Sequence, residues 1–510
     1  MMKVWLAYPP RHFWPYISAD DNFLVPQALP CLAAAAREAG YEVRVIDCSP
    51  MKIGWKSLAK ELSDAKPDVV GVSESHALYA NESLRLLRLI KEVLPGTKTV
   101  AGGLHFSNLV EETLGSSPVD FIVRMEGEET FVELLGGIEG GGNCDEIRGV
   151  AFRKNGLVVQ TPPRPLINDL DSLPMPAYDL MPMDKYGTSR FLFSPGGTTI
   201  HHSRGCVSNC SFCAWWIQMA DVQQREGELF YKPRWRTKSV DRVMEEIGVL
   251  AGRYGKRCLV FVDEFWNKDA AWNDEFAEKM VASGEKVQWF AFMRVDAVLR
   301  DERTGIFEKL VRSGLCHVAI GVERSENMEL RKIGKPFYTD DATRECFRML
   351  REKYPGVFTQ GTFIVGVRDE TRESMLMQVR YARELRLDYP GFHPMTPVPG
   401  TALWREAKQK GWIEVNDFSY YDWLTPVMGS DHLTREEIAR LVPELSRRYV
   451  SLGWFLKGIF SRSSYKRNMY IWWLLVTVRQ AADSLRSFVL PFPSKVRTIT
   501  GLVKPRWYDS

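Results

Sequence analysis

The sequence predicts an α/β protein made of two parallel-sheet domains followed by a helical region. Three features predict it. Short apolar runs alternate with amphipathic helices through the first 135 residues, the pattern of a parallel, doubly wound sheet. The alternation resumes from residue 198 to about residue 401 as six strand–helix units, most of a (β/α)8 barrel. The last hundred residues carry helical signals without strands, and a 510-residue chain exceeds what one hydrophobic core sustains. The expected boundaries are 1–140 for the first domain, 141–195 for a linker, 196–405 for the barrel and 406–510 for the helical region.

The first domain opens with an apolar strand at 4–8, stopped by Pro9-Pro10. An Ala/Leu-rich helix over 25–40 closes on Gly40. Further strands are expected at 42–46, 68–73, 97–101 and 121–123, with a helix at 83–93 whose Leu84, Leu87 and Ile90 share one side. Ligands of such sheets bind at the carboxyl ends of the strands. The stretch 136–195 is punctuated by Gly, Pro and Asp, with a hairpin expected around Asn155-Gly156. Barrel strands are expected at 198–202, 258–262, 287–292, 317–321, 361–365 and 391–396. Between the first two, Val240, Val243, Ile247 and Leu250 make one helical stripe with Ser239 as its N-cap.

A formal charge of +3 argues against nucleic-acid binding by the surface as a whole. The charge is unevenly placed: residues 447–510 hold twelve Lys/Arg and two Asp/Glu, a local charge of +10. Nine cysteines, odd in number and irregularly spaced, do not make a disulfide framework. No secretory signal opens the chain, and the longest apolar run, 469–478, is half of the roughly 20 residues a membrane span needs. The expectation is a reducing, cytoplasmic setting.

Three cysteines stand apart from the dispersed ones. Cys206, Cys210 and Cys213, in SRGCVSNCSFCAWW, follow the first barrel strand with C-x3-C-x2-C spacing. A [4Fe-4S] cubane needs thiolates close together, and three of them leave one iron open for the amino and carboxylate groups of an amino-acid ligand. A zinc ribbon wants paired C-x2-C units, which are absent. Cys258, Cys316 and Cys346 are isolated and read as core residues.

This loop, with Phe212 before its third cysteine, resembles that of the radical S-adenosylmethionine (SAM) superfamily. Other segments along the barrel resemble the superfamily in the same order. FVDEFW resembles the acidic segment that receives the SAM amino group, which makes Asp263 and Glu264 candidates. Arg294 in FMRVD resembles a polar residue found after the third strand. GVERSENMELRKIGK resembles the G-x-E-S segment and makes Glu323 and Ser325 candidate SAM contacts, with Arg324 intervening between them. GTFIVGVRDET resembles a motif that packs near adenine, Arg368-Asp369 replacing the usual Pro-Gly, and MTPVPGTALW matches the end of the sixth strand.

VVGVSESH, VAGGLHFSN and VDFIVRMEGEETFVELL resemble the flavodoxin-like (Rossmann-type) cobalamin-binding domain found ahead of many such barrels. Ser73, Ser75, Gly102 and Gly103 are small enough for the close approach of a corrin. The D-x-H-x-x-G loop that carries a cobalt-ligating histidine elsewhere is absent. His76 and His105 are the candidates nearest the cofactor, and Glu74 and His76 are the groups able to approach its lower face. Met125 departs from the common Arg-Gly-Glu-Gly-Glu of this family.

The resemblance therefore implies three cofactors: a [4Fe-4S] cluster, SAM and cobalamin. The implied fold is a flavodoxin-like cobalamin-binding domain, a partial (β/α)6 TIM-type radical SAM barrel and a helical C-terminal region. The implied reaction is methylation of an unactivated carbon, with oxidative cyclisation as the alternative and a non-catalytic cofactor-binding regulator as a third reading. Implied partners are a small-molecule or lipid-like substrate and an external electron donor such as flavodoxin or ferredoxin. The stretch KGIFSRSSYKRNMYIWWLLVTVRQ mixes Lys/Arg with Trp and Leu, as an interfacial helix does, so peripheral membrane contact is expected there beside plain packing on the barrel. Residues 416–423 are aromatic-rich and are expected to cover the barrel mouth.

Overall fold

The computed structural model describes residues 1–13, 24–141, 144–225, 228–335, 339–489 and 504–510. Its first sheet contains β1 (Lys3–Tyr8), β2 (Glu42–Asp47), β3 (Val69–Ser73), β4 (Lys98–Gly102), β5 (Phe121–Val123), β6 (Val150–Lys154) and β7 (Leu157–Gln160), in the order β2-β1-β3-β4-β5-β6-β7. The first five strands are parallel. The two-residue period of β1 shows why both faces are covered. Val4, Leu6 and Tyr8 join one core with the helices Ala28–Glu38 and Glu128–Glu139, while Trp5 and Ala7 join another with Trp55–Ala65 and Ala80–Val93. The Asn155-Gly156 hairpin forms as expected. Its strands β6 and β7 add antiparallel beyond β5, so the sheet runs past residue 140 into the stretch expected to be linker.

The second sheet has six parallel strands in sequential order: β8 (Gly197–Ile200), β9 (Cys258–Phe261), β10 (Gln288–Met293), β11 (Leu315–Glu323), β12 (Phe358–Val365) and β13 (Tyr389–Pro394). β8 and β13 are its edges, so the barrel is partial. The helix Val240–Gly248 starts where Ser239 Oγ accepts the Arg242 N–H at 3.2 Å, the cap expected from the sequence.

The C-terminal helices Leu452–Ile459 and Ser464–Val489 pack under the barrel. Tyr465 bonds His317 Nδ1 at 3.0 Å near the start of β11, Tyr470 donates to Asp388 at 2.8 Å just before β13, and Trp473 stacks on Tyr389 with centroids 4.5 Å apart. Cys258, Cys316 and Phe358 lie in the same apolar cluster. All of these stand at or near strand beginnings, so the tail floors the N-terminal end of the barrel. Lys495 and Arg497 of the basic tail lie outside the described residues. No helix among the described residues is long and apolar enough to cross a membrane.

Candidate active site

The carboxyl ends of both sheets open onto one cavity of about 790 Å³. Tyr8, Ser73, Gly102 and Val123 line it from the first sheet; His201, Asp263, Arg294, Glu323 and Thr362 line it from the barrel side. Cys206, Cys210 and Cys213 line it from the loop after β8.

That loop is pinned from two sides. Ser211 N–H donates to Ile333 O at 3.2 Å, and Leu403 N–H donates to Ser211 O at 3.0 Å. Burial pushes the Cys210 thiol up to about 11 and the Cys213 thiol up to about 12, and the neighbouring thiols add to both shifts. The Trp215 and Trp216 N–H groups aimed at Cys213 work the other way. With the Cys210 and Cys213 thiols raised in this way, their thiolates form readily only against the positive charge that bound iron supplies. Among the described residues no three His, Cys, Asp or Glu side chains converge as a single ion requires. A cubane asks for something else, because each thiolate binds its own iron.

The acidic segment follows β9. Asp263 Oδ1 accepts from His202 N at 3.1 Å and from Ser203 N and Oγ at 2.5 and 2.6 Å, while the buried Oδ2 has no partner. Glu264 accepts from Gly205 N at 2.9 Å, one residue before Cys206. Burial raises both carboxyls to about 7. An orphaned carboxylate oxygen beside a cluster loop fits the α-ammonium of SAM, whose charge would favour the ionised form.

This gives a prediction with a sign. The folded pKa of Asp263 lies above its unfolded value, so its contribution to stability is fully present at acid pH and is lost as pH rises towards about 7. In cofactor-free protein, Asp263→Asn is expected to gain melting temperature relative to wild type between pH 5 and pH 8. Parallel pH profiles for the two proteins would show that Asp263 carries no such penalty.

Arg294 donates to Ser208 Oγ at 2.9 Å, which ties β10 to the cysteine loop, and its guanidinium lies 4.7 Å from the Phe265 ring. Glu323 sits at φ 60° beyond an irregularity in β11 and accepts from Lys335 Nζ at 2.6 Å. A Cβ at Gly321 would press on that carboxylate and the lysine ammonium, so the pair sits directly against the strand backbone. Arg324, which interrupts the Glu-Ser pair, turns away into a buried ion pair with Glu370 at 2.7 Å. Ser325 is not among the residues lining the cavity. Its backbone N–H and hydroxyl are taken by the Gln378 amide at 3.1 and 3.2 Å.

On the opposite wall, Ser73, Ser75, His76, Gly102 and Gly103 line the cavity as the sequence suggests. Gly103 has φ +90°, and a Cβ there would lie 2.5 Å from Glu74 O, so the turn after β4 requires glycine. His105 does not line the cavity; its ring packs edge-on to Phe418 at 4.7 Å and to Phe106 at 5.3 Å. Phe418 and Tyr421, from the aromatic stretch expected over the barrel mouth, pack with Ala77, Leu109 and Trp404, and none of the five is among the residues lining the cavity. His76 stands edge-on to Trp215 at 5.2 Å, and burial lowers its pKa to about 4, so it is neutral at pH 7. The Trp215 ring holds it, not the kind of hydrogen bond that orients a ligating imidazole. His76→Ala is therefore expected to leave the visible spectrum of bound cobalamin unchanged and base-off, and a changed spectrum would place the imidazole on the cobalt.

Sequence reasoning missed two groups. Arg11 lines the cavity between Tyr8 and Tyr79, its guanidinium 4.0 and 4.4 Å from their rings, and pairs with the buried Glu74 at 2.6 Å. Its only signal was its place just past the first strand. The second group is a buried ion network across the two domains. Arg204 binds Glu126 at 2.8 Å and also Glu128, and Arg236 binds Glu126 at 2.9 Å. Burial works to lower the Arg204 pKa, but Glu128 and Glu126 more than offset it, so the guanidinium stays charged. Both glutamates were legible as a motif, but their partners lie in the other domain.

Comparison with known proteins agrees with this geometry. Residues 17–135 match the B12 binding domain, and residues 200–381 match the radical SAM superfamily. Over 461 residues the chain is 32% identical to an uncharacterised methyltransferase of Pyrococcus horikoshii, covering 88% of this chain and 92% of that one. It is 30% identical over 429 residues to the anaerobic magnesium-protoporphyrin IX monomethyl ester cyclase of Cereibacter sphaeroides, covering 82% and 66% of the two chains. The fold is that of TsrM, a radical SAM methyltransferase from Kitasatospora setae solved with cobalamin and a [4Fe-4S] cluster. The TM-score is 0.70, with 94% of this chain and 100% of that one covered at 16% identity. Fold and site together define a radical SAM enzyme with a B12-binding domain. The chain belongs to the cobalamin-dependent radical SAM methyltransferase family, whose cofactors are cobalamin, a [4Fe-4S] cluster and SAM.

Proposed function

We propose that this enzyme methylates an unactivated carbon of a hydrophobic small molecule bound between its two sheets. The observation that carries the reading is the single cavity, with three thiols on one wall and the small residues Ser73, Ser75, Gly102 and Gly103 on the other. A [4Fe-4S] cluster held by Cys206, Cys210 and Cys213 would supply the one-electron chemistry that opens SAM, and cobalamin against Gly102 and Gly103 would supply the methyl group. The chain's own residues bind and orient. Cys206, Cys210 and Cys213 hold the cluster; Asp263 Oδ2 and Glu264 take the SAM ammonium; Arg294 and Glu323 bound the same pocket; Gly102 and Gly103 admit the corrin. Apolar side chains such as Phe131, Phe212, Trp216, Met219 and Phe292 line the space and exclude water from the radical chemistry. Phe292 and Val262 present apolar surface to this cavity, which supports a hydrophobic substrate.

Because the β6–β7 hairpin belongs to the first sheet, the first domain limit moves from 140 to about 160, and limits near 195 and 405 suit this reading. The proposed partners are the substrate, a flavodoxin- or ferredoxin-type electron donor and, in a cytoplasmic setting, an anionic membrane surface met peripherally by the C-terminal region. A second reading, oxidative cyclisation without methyl transfer, rests on the identity to the cyclase. The test is an anaerobic incubation of reconstituted protein, reductant and methyl-deuterated SAM with extract of a deletion strain. Methylation adds a labelled methyl to one metabolite, cyclisation removes hydrogens without label, and absence of 5′-deoxyadenosine overturns both.

A further inference from the structure

We infer that the helix Leu452–Ile459 and the residue after it form a docking face for an anionic lipid surface, on the side of the barrel opposite the active-site cavity. This deepens the peripheral contact proposed above and rests on that reading. Sixteen large apolar side chains are exposed among the described residues, and five of them fall between 452 and 478. Three stand four residues apart on one face: Leu452, Leu456 and Phe460, with 76%, 48% and 79% of their surface exposed. The other face of the helix is committed inward through Phe455 and Gly458. The exposed face is therefore surplus to folding.

The charge around this face selects the partner. Lys457 and Arg462 are exposed beside it. Burial disfavours the charge of Lys457, and Lys466, Arg351 and Arg386 lie close enough to add to that, while Asp388, paired with Lys466 at 2.7 Å, acts the other way. An apolar ridge set in a cluster of cations matches a membrane interface rich in anionic headgroups. A neutral bilayer would leave the cations unmatched. A second copy would bring like charge against like charge.

The position has a consequence. The tail helices floor the strand N-termini, whereas the cavity lies at the strand C-termini. A protein docked through this face turns its active site away from the bilayer. A lipid-like substrate would therefore not enter the barrel directly from the docked bilayer.

The test is sedimentation of the full chain with phosphatidylglycerol vesicles and with phosphatidylcholine vesicles across a salt series, beside gel filtration without lipid. Wild type is expected to partition to phosphatidylglycerol at low salt, to release as salt rises, and to ignore phosphatidylcholine. Leu452→Ser/Leu456→Ser/Phe460→Ser should lower partitioning by about tenfold or more, and Lys457→Glu/Arg462→Glu should abolish the preference for anionic lipid. These side chains are exposed, so both variants should form 5′-deoxyadenosine at the wild-type rate without vesicles. That readout separates failure of this proposal from failure of the functional reading. Wild type that ignores phosphatidylglycerol at low salt, a triple serine variant that binds like wild type, or a wild-type dimer lost in that variant would each overturn the lipid face.

Discussion

Replacing Cys206, Cys210 and Cys213 together with alanine is expected to yield a folded protein with no cluster and no 5′-deoxyadenosine formation. Wild type reconstituted anaerobically should carry about four irons, as one cubane requires. The loss should be complete because the three thiols share one cavity wall and act as one ligand set. Folding should survive because the loop is held by backbone bonds of Ser211 to Ile333 and Leu403, which do not involve the sulfurs. Iron content, 5′-deoxyadenosine and circular dichroism together decide the matter. A triple variant that still cleaves SAM would remove the cluster from this loop.

Arg204→Met is expected to lower unfolding stability by about 3–5 kcal/mol, the cost of removing one partner from a buried charge network. Arg204 joins Glu126 and Glu128 with all three side chains at most 8% exposed, so the variant strands Glu128 as a buried, unpaired carboxylate. Glu126 keeps Arg236 at 2.9 Å. Arg204→Lys retains the charge but loses the two-armed contact, so its loss should be smaller. Because Arg204 lies two residues before Cys206 and its partners belong to the B12-binding domain, the methionine variant should also load iron and cobalamin less completely. Urea midpoints of the three proteins measure the effect, and a methionine variant with the wild-type midpoint would show that the network is not a structural tie.

Much of this protein is legible in the sequence because it is written in local patterns. The two strand–helix alternations gave the five parallel strands of the first sheet and the six of the barrel, since apolar runs bounded by turn residues report burial on both faces. The cysteine spacing and the acidic segment after β9 are short-range signals, and all five cavity-lining groups they named (the three thiols with Asp263 and Glu264) meet in one place. Ser325 and His105 fell outside because a motif position does not say which way a side chain turns. Gln378 claims the first and Phe418 the second, each from more than fifty residues away.

By itself, then, the sequence determined the fold class and the cofactor set, and it named candidate ligand residues that cluster along the chain. Tertiary structure alone decided what depends on distant pairs. The β6–β7 hairpin joined the first sheet because β5 offered an open edge for antiparallel pairing. Arg204 found Glu126 and Glu128 across the domain boundary because none of the three can be buried uncompensated. The basic tail settled under the strand N-termini because Tyr465, Tyr470 and Trp473 found partners there. That last placement puts the C-terminal helices on the far side of the barrel from the active-site cavity, and no periodicity or composition along the chain encodes a direction in space.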